Sequence, residues 1–147
     1  MPEEFYMAYL AVAVIALVGM SLLLSKSKLP SLKQVDRMTG PQFEQWCAAL
    51  LRRNGFWRVR VLGGSGDQGA DIIAHKGFRK YVIQCKCYRN KLGNKPVQEA
   101  NAAVEIYRGQ VAVVMTNSYF TSGGVEAGRK CKVHLWDRDK LRKMGAR

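Results

Sequence analysis

Three side chains that could do chemistry fall within sixteen residues of one another: an acid, Asp71, an amide, Gln84, and an amine, Lys86. They lie in the stretch GGSGDQGADIIAHKGFRKYVIQCKCY, from Gly63 to Tyr88. It reads as a glycine-rich loop, an apolar strand ending near His75, a turn at Lys76-Gly77, and a second strand. Side chains alternate across a strand. Tyr81, Ile83 and Cys85 therefore share one face, and Val82, Gln84 and Lys86 the other. Antiparallel pairing of Ala70–Ala74 with Tyr81–Cys85 sets Asp71 across from the Gln84/Lys86 end. An acid and a lysine on adjacent strands suit a metal-dependent phosphodiesterase. The carboxylate can hold a divalent cation, and the lysine can offset charge on a phosphoryl transition state.

The loop Gly63–Gly69 has four glycines in seven residues, which lets backbone approach a ligand closely. It is not a phosphate-binding GxxxxGK[ST] loop: no Lys-Ser or Lys-Thr pair follows Gly69, and a strand comes next. Asp67 within it reads equally as a turn residue or as a helper of the site.

The flanking sequence must position this hairpin. Thr39-Gly40-Pro41 marks a helix start, with Thr39 as cap and proline in the first turn. Phe43, Trp46, Cys47, Leu50 and Leu51 recur at helical spacing, and Asn54-Gly55 ends the helix. Trp57–Leu62 alternates apolar and basic residues as a half-exposed strand does. Pro96 opens a helix to about Tyr107, with Val97, Ala100, Val104 and Tyr107 on its buried side. Gln110–Thr116 is a continuous apolar run, the mark of a central buried strand. Asn117–Gly124 reads as a loop and Val125–Lys130 as a short helix. Lys132–Trp136 is a last strand, and Asp137 caps a final basic helix, Arg138–Met144. The fold class is α/β, a mixed sheet flanked by helices, antiparallel at first and parallel across the Pro96–Tyr107 crossover.

The chain has 147 residues and a formal net charge of +13. Residues 1–25 contribute Glu3 and Glu4 and no Lys or Arg, so the remainder carries +15. So basic a small domain favours a polyanion, nucleic acid or an anionic membrane. Cys85-x-Cys87 is not a zinc spacing, and neither Cys47 nor Cys131 completes one. Free thiols in a reducing compartment are the simplest account of the four cysteines. His75 and His134 stand alone near strand ends and read as structural.

Phe5 to Leu24 is uncharged and apolar all round, about the length that crosses a bilayer. The residues before it are Pro-Glu-Glu, unlike the basic start of a signal peptide. The expectation is a transmembrane helix over 5–24, a basic linker over 25–38 and a catalytic domain over 39–144. Lys26, Lys28 and Lys33 after the span place that domain in the cytoplasm of a single-pass cell-membrane protein.

Taken together, Met38-Thr39-Gly40 with Phe43-Glu44, GGSGDQGAD, YVIQCKCY, VQEANAAVEIY, VAVVMTNSYFT and VHLWDRDKL resemble the catalytic domain of Mrr-like restriction endonucleases, a branch of the PD-(D/E)xK nuclease superfamily. The resemblance runs from Met38 to Leu141. It implies a restriction-endonuclease-like mixed sheet and Mg²⁺-dependent hydrolysis of DNA. Carried over, the acid after the glycine loop falls on Asp71 and the Q-x-K element on Gln84 and Lys86. The acid of the first helix falls on Glu44, and the glutamine of the second on Gln98. The acid commoner in the superfamily at the Gln84 position is absent. The resemblance further implies Mg²⁺ on Asp71, Gln84 and the backbone carbonyl of Cys85, with Glu44 acting through water. Gln98 and the basic loop with Arg89, Lys91 and Lys95 would hold DNA phosphates. Related nucleases often act as homodimers. Two rival readings remain: a membrane-tethered DNA-binding module that cleaves nothing, and a structure-selective nuclease of repair or resolution.

Overall fold

The structure, a computed structural model, describes residues 6, 7, 9–16, 28–63 and 68–146. The elements in chain order are α1 (Leu32–Val35), α2 (Gly40–Arg53), β1 (Trp57–Val61), β2 (Ile72–Lys76), β3 (Arg79–Lys86), α3 (Lys95–Ile106), β4 (Val111–Thr116), α4 (Ser122–Cys131), β5 (His134–Trp136) and α5 (Arg138–Lys143). The strands stand side by side in sequence order. β1, β2 and β3 pair antiparallel, while β3, β4 and β5 pair parallel. The sheet is thus mixed as expected, and β3 is the strand at which it changes sense.

Two layers of helix cover it. On one face Phe43, Trp46, Cys47, Leu50 and Leu51 of α2 pack with Ile72, Ala74, Ile83, Cys85, Val113 and Met115. On the other, Val97 and Ala100 of α3 meet Ala112 and Val114, and Ala103 meets Ile73 and Val82. β3 therefore sends Ile83 and Cys85 to α2 and Val82 toward α3, the alternation its sequence requires. All six residues of β4 are buried, because a parallel strand covered on both faces has no polar side.

Two stretches differ from expectation. The segment read as linker is docked: Leu32 and Val35 of α1 are buried in the α2 core, and the Trp46 indole N–H donates to the Pro30 carbonyl at 3.0 Å. The domain's packing therefore begins before Thr39. Second, α4 starts at Ser122, inside the expected loop, because Gly124 serves packing rather than a break. Thr121 caps it by accepting the Gly124 N–H at 3.1 Å. A Cβ on Gly124 would lie 2.7 Å from the Leu92 carbonyl oxygen, so only glycine lets α4 approach the loop after β3.

Residues 6, 7 and 9–16 are helical, with exposed apolar side chains such as Tyr6, Leu10 and Ile15. No helix among the described residues is long and apolar enough to cross a membrane. The other positions of the expected span, Ser25–Ser27 of the linker, and Asp67 lie outside the described residues.

Candidate active site

The expected cluster forms where β2 ends beside β3. Ile72 pairs with Ile83, so the ladder reaches its last step at Asp71. The Asp71 N–H donates to the Ile83 carbonyl at 2.9 Å, and its own carbonyl accepts from Leu62 at 2.8 Å. Beyond that point β3 has no β2 neighbour. The Asp71 carboxylate fills the gap by accepting the Cys85 N–H at 2.6 Å. In a strand the N–H and C=O of one residue point to the same edge, so the Cys85 carbonyl faces this opening too.

Gln84 is 3% exposed. Its amide nitrogen donates to Oε2 of Glu99 on α3 at 2.8 Å, while its Oε1 is buried without a hydrogen-bond partner. The Lys86 ammonium lies 3.8 Å from the same Glu99 oxygen. The glycine loop meets this group at its far end. Gly69 has φ +85°, and a Cβ there would come within 2.9 Å of the Glu99 carbonyl oxygen. Only glycine accepts that angle and that contact without strain.

On the opposite face of β3, burial pushes the Cys85 thiol well above the ordinary thiol range. Its contact with Cys47 and the negative charges of Asp71 and Glu44 push the same way. Asp71 and Glu44 thus both bear on Cys85. Glu44 is half-buried on α2, three residues before Cys47, and so on the same side of that helix.

Asp71, Gln84, Lys86 and the Cys85 backbone are therefore brought together, with Glu44 close enough to act on Cys85 electrostatically. Gln98 is not among them: it is exposed, and its neighbour Glu99 holds the place facing Gln84 and Lys86. Adjacent helical positions point about 100° apart, so only one of the two can face the sheet. Glu99 stands four residues before buried Ala103 and three after buried Pro96. An acid on that apolar stripe was the signal available in the sequence. Of the basic residues, Arg89, Lys91 and Lys95 are exposed. Arg89 borders a crevice with Tyr88, and Lys91 lies beside Tyr119 and Phe120.

An α/β domain with an acid at a strand end, facing an amide and a lysine on the next strand, has the layout of a restriction-endonuclease-like domain. The family comparison agrees: residues 35–145 match the family described as restriction endonuclease, that of the Mrr catalytic domain. The chain belongs to this family. No curated protein matches it. Among solved structures it is similar to a crystal structure of a protein of unknown function, AF1548, at 19% identity with a TM-score of 0.56. That match covers 71% of this chain and 65% of the other, just under two thirds of its length, and bears on the fold alone.

Domains of this family generally use divalent metals, and the donor set is compatible with one. Among the described residues no three His, Cys, Asp or Glu side chains gather as a metal cluster. What the site offers is a carboxylate, a strand carbonyl and the orphaned Gln84 Oε1. Mg²⁺ takes such oxygens while keeping several waters, and a buried amide oxygen without a donor is suited to a cation or its water.

Proposed function

We propose that this protein is a Mg²⁺-dependent DNA endonuclease of the Mrr-like type that hydrolyses phosphodiester bonds in restriction of foreign DNA. The observation that carries the reading is the pairing of the Asp71 carboxylate with the Cys85 strand edge, beside a buried Gln84 whose Oε1 lacks a donor. Asp71, Gln84 Oε1 and the Cys85 carbonyl would hold the cation, with Glu44 acting through water. The ion would supply Lewis-acid polarisation of the phosphate and a more acidic water. Lys86 orients the attacking water and offsets charge building on the phosphoryl oxygens. Glu99 holds Gln84 and Lys86 in register. Arg89, Lys91 and Lys95 give affinity for phosphates without reading sequence, and Gln98 supports them from the exposed side of α3.

Plasmid nicking by the full chain tests this. Activity is expected with Mg²⁺, and none in EDTA. Asp71→Ala and Lys86→Ala each abolish it while leaving the fold intact by circular dichroism. Variants that cut like the wild type overturn the enzyme reading and leave a DNA-binding module. Linearisation rather than nicking is the outcome expected of a homodimer that cuts both strands.

The same reading places the protein at a membrane through Phe5–Leu24, with the nuclease domain in the cytoplasm. The uncharged apolar run supports it, as do the exposed apolar side chains at its helical positions. Recovery of the full chain from the soluble fraction after lysis rejects it.

A further inference from the structure

Past Lys86 the chain enters a crevice of about 530 Å³ whose lining includes Lys33, Asp36, Arg37, Tyr88, Arg89 and Tyr119. It lies at the carboxyl ends of β3 and β4, where open α/β sheets place their ligands. Its volume falls in the roughly 300–1,000 Å³ span of small-molecule sites. Tyr88 follows Lys86 by two residues, and Asn117 follows Thr116, the partner of Lys86 in β4.

The frame of this crevice is held by hydrogen bonds. The Asn117 side chain accepts the Tyr88 N–H at 2.8 Å and donates to Asp36 at 2.9 Å. Arg138 donates to both Asp36 oxygens, at 2.7 and 3.0 Å, and to the Asn117 carbonyl at 2.8 Å. Arg138 therefore neutralises the carboxylate of the crevice. Lys33, Arg37 and Arg89 are exposed and have no ion-pair partner among the described residues. The rings differ in freedom: the Tyr119 hydroxyl donates to Asp139 at 3.2 Å, while Tyr88 is 52% exposed.

We propose that this crevice binds an unpaired nucleotide next to the cleavage site, with its base stacked on Tyr88 and its phosphates held by Lys33, Arg37 and Arg89. Inside a duplex both faces of each base are covered by neighbours. A ring flanked by cations therefore gains stacking only from bases outside the stack. The substrate class that follows is DNA with an overhang, flap or gap in preference to blunt duplex. This deepens the nuclease reading and rests on it for the position of the cut, but binding can be measured separately.

The test is fluorescence anisotropy with the full chain in EDTA, so that no cleavage intervenes. The probes are a blunt duplex, the same duplex with a single-stranded overhang, and the single strand. Overhang and single strand are expected to bind more tightly than blunt duplex. Tyr88→Ala weakens overhang binding about tenfold, as loss of one stacked base does, and changes blunt-duplex binding less than twofold. Tyr88→Phe restores the wild-type preference. Lys33→Gln with Arg37→Gln lowers the salt dependence of overhang binding. Equal affinity for blunt and overhang probes, or a Tyr88→Ala variant that loses neither or both alike, overturns the proposal. Tyr88-dependent overhang binding by a chain that cuts nothing in Mg²⁺ leaves the crevice standing and removes the nuclease reading. Mg²⁺-dependent cutting by a chain whose overhang binding does not change in Tyr88→Ala does the reverse.

Discussion

Glu99→Ala removes the acceptor of a buried amide and the anionic neighbour of a lysine in one step. The Gln84 amide sits 2.8 Å from the lost oxygen and is 3% exposed, so burial makes the lost acceptor hard to replace. A hydrogen bond to a charged group contributes about 1.5–3 kcal/mol, and an orphaned buried donor costs in the same range. The Lys86 pair adds little, since it is 3.8 Å long with side chains 26% and 35% exposed and exposed pairs contribute at most about 1 kcal/mol. The expected loss is about 2 kcal/mol. With urea slopes of roughly 1–3 kcal/mol per molar, the midpoint of unfolding falls by about 1 M. Gln84→Met makes the cycle decisive, because replacing both partners by apolar groups is nearly neutral. In the Gln84→Met background, Glu99→Ala costs less than about 1 kcal/mol. Glu99→Gln keeps an acceptor for the amide and recovers most of the stability. Equal losses from Glu99→Ala in the two backgrounds would refute the coupling of Gln84 to Glu99.

Three further outcomes follow from the same geometry. Arg138 holds the Asp36 carboxyl below its ordinary value of 3.8, so the folded state takes up that proton less readily than the unfolded chain. The stability it contributes is present above about pH 4 and is lost as pH falls through the lowered value. Asp36→Asn therefore flattens acid unfolding in that window, as followed by circular dichroism. Gly69→Ala places a methyl 2.9 Å from a backbone oxygen at φ +85°, so it destabilises by about 1–3 kcal/mol in chemical denaturation. Cys85 is buried and its thiol is raised, so iodoacetamide at neutral pH leaves it unmodified in the native protein. Mass mapping should find it alkylated only after denaturant is added.

Much of this domain was legible in its residues. The period of Phe43, Trp46, Cys47, Leu50 and Leu51 defines α2, because a helix must turn one apolar stripe to the core. The alternation from Tyr81 to Lys86 decides which residues of β3 face which layer. The shortness of the Lys76-Gly77 turn then sets Asp71 opposite Gln84, since a tight hairpin fixes its own register. These are local rules, and they carried the mixed sheet and three of the site's residues.

Other features needed the folded chain. Whether Gln98 or Glu99 faces Gln84 depends on the rotation of α3 over the sheet, and a helix assigned only to within a residue leaves that choice open. The glycine pair at Gly123-Gly124 looked like a break, because close approach to Leu92 is invisible until both segments are placed. The docking of Leu32 and Val35 and the network of Asp36, Asn117 and Arg138 join residues up to 102 positions apart. The sequence by itself determined the hairpin and the acid, amide and lysine it brings together, because strand pleat and turn length act over a few residues. Tertiary structure alone decided that Glu99 completes the group and that a basic, aromatic crevice opens beyond Lys86, because both depend on how distant elements pack.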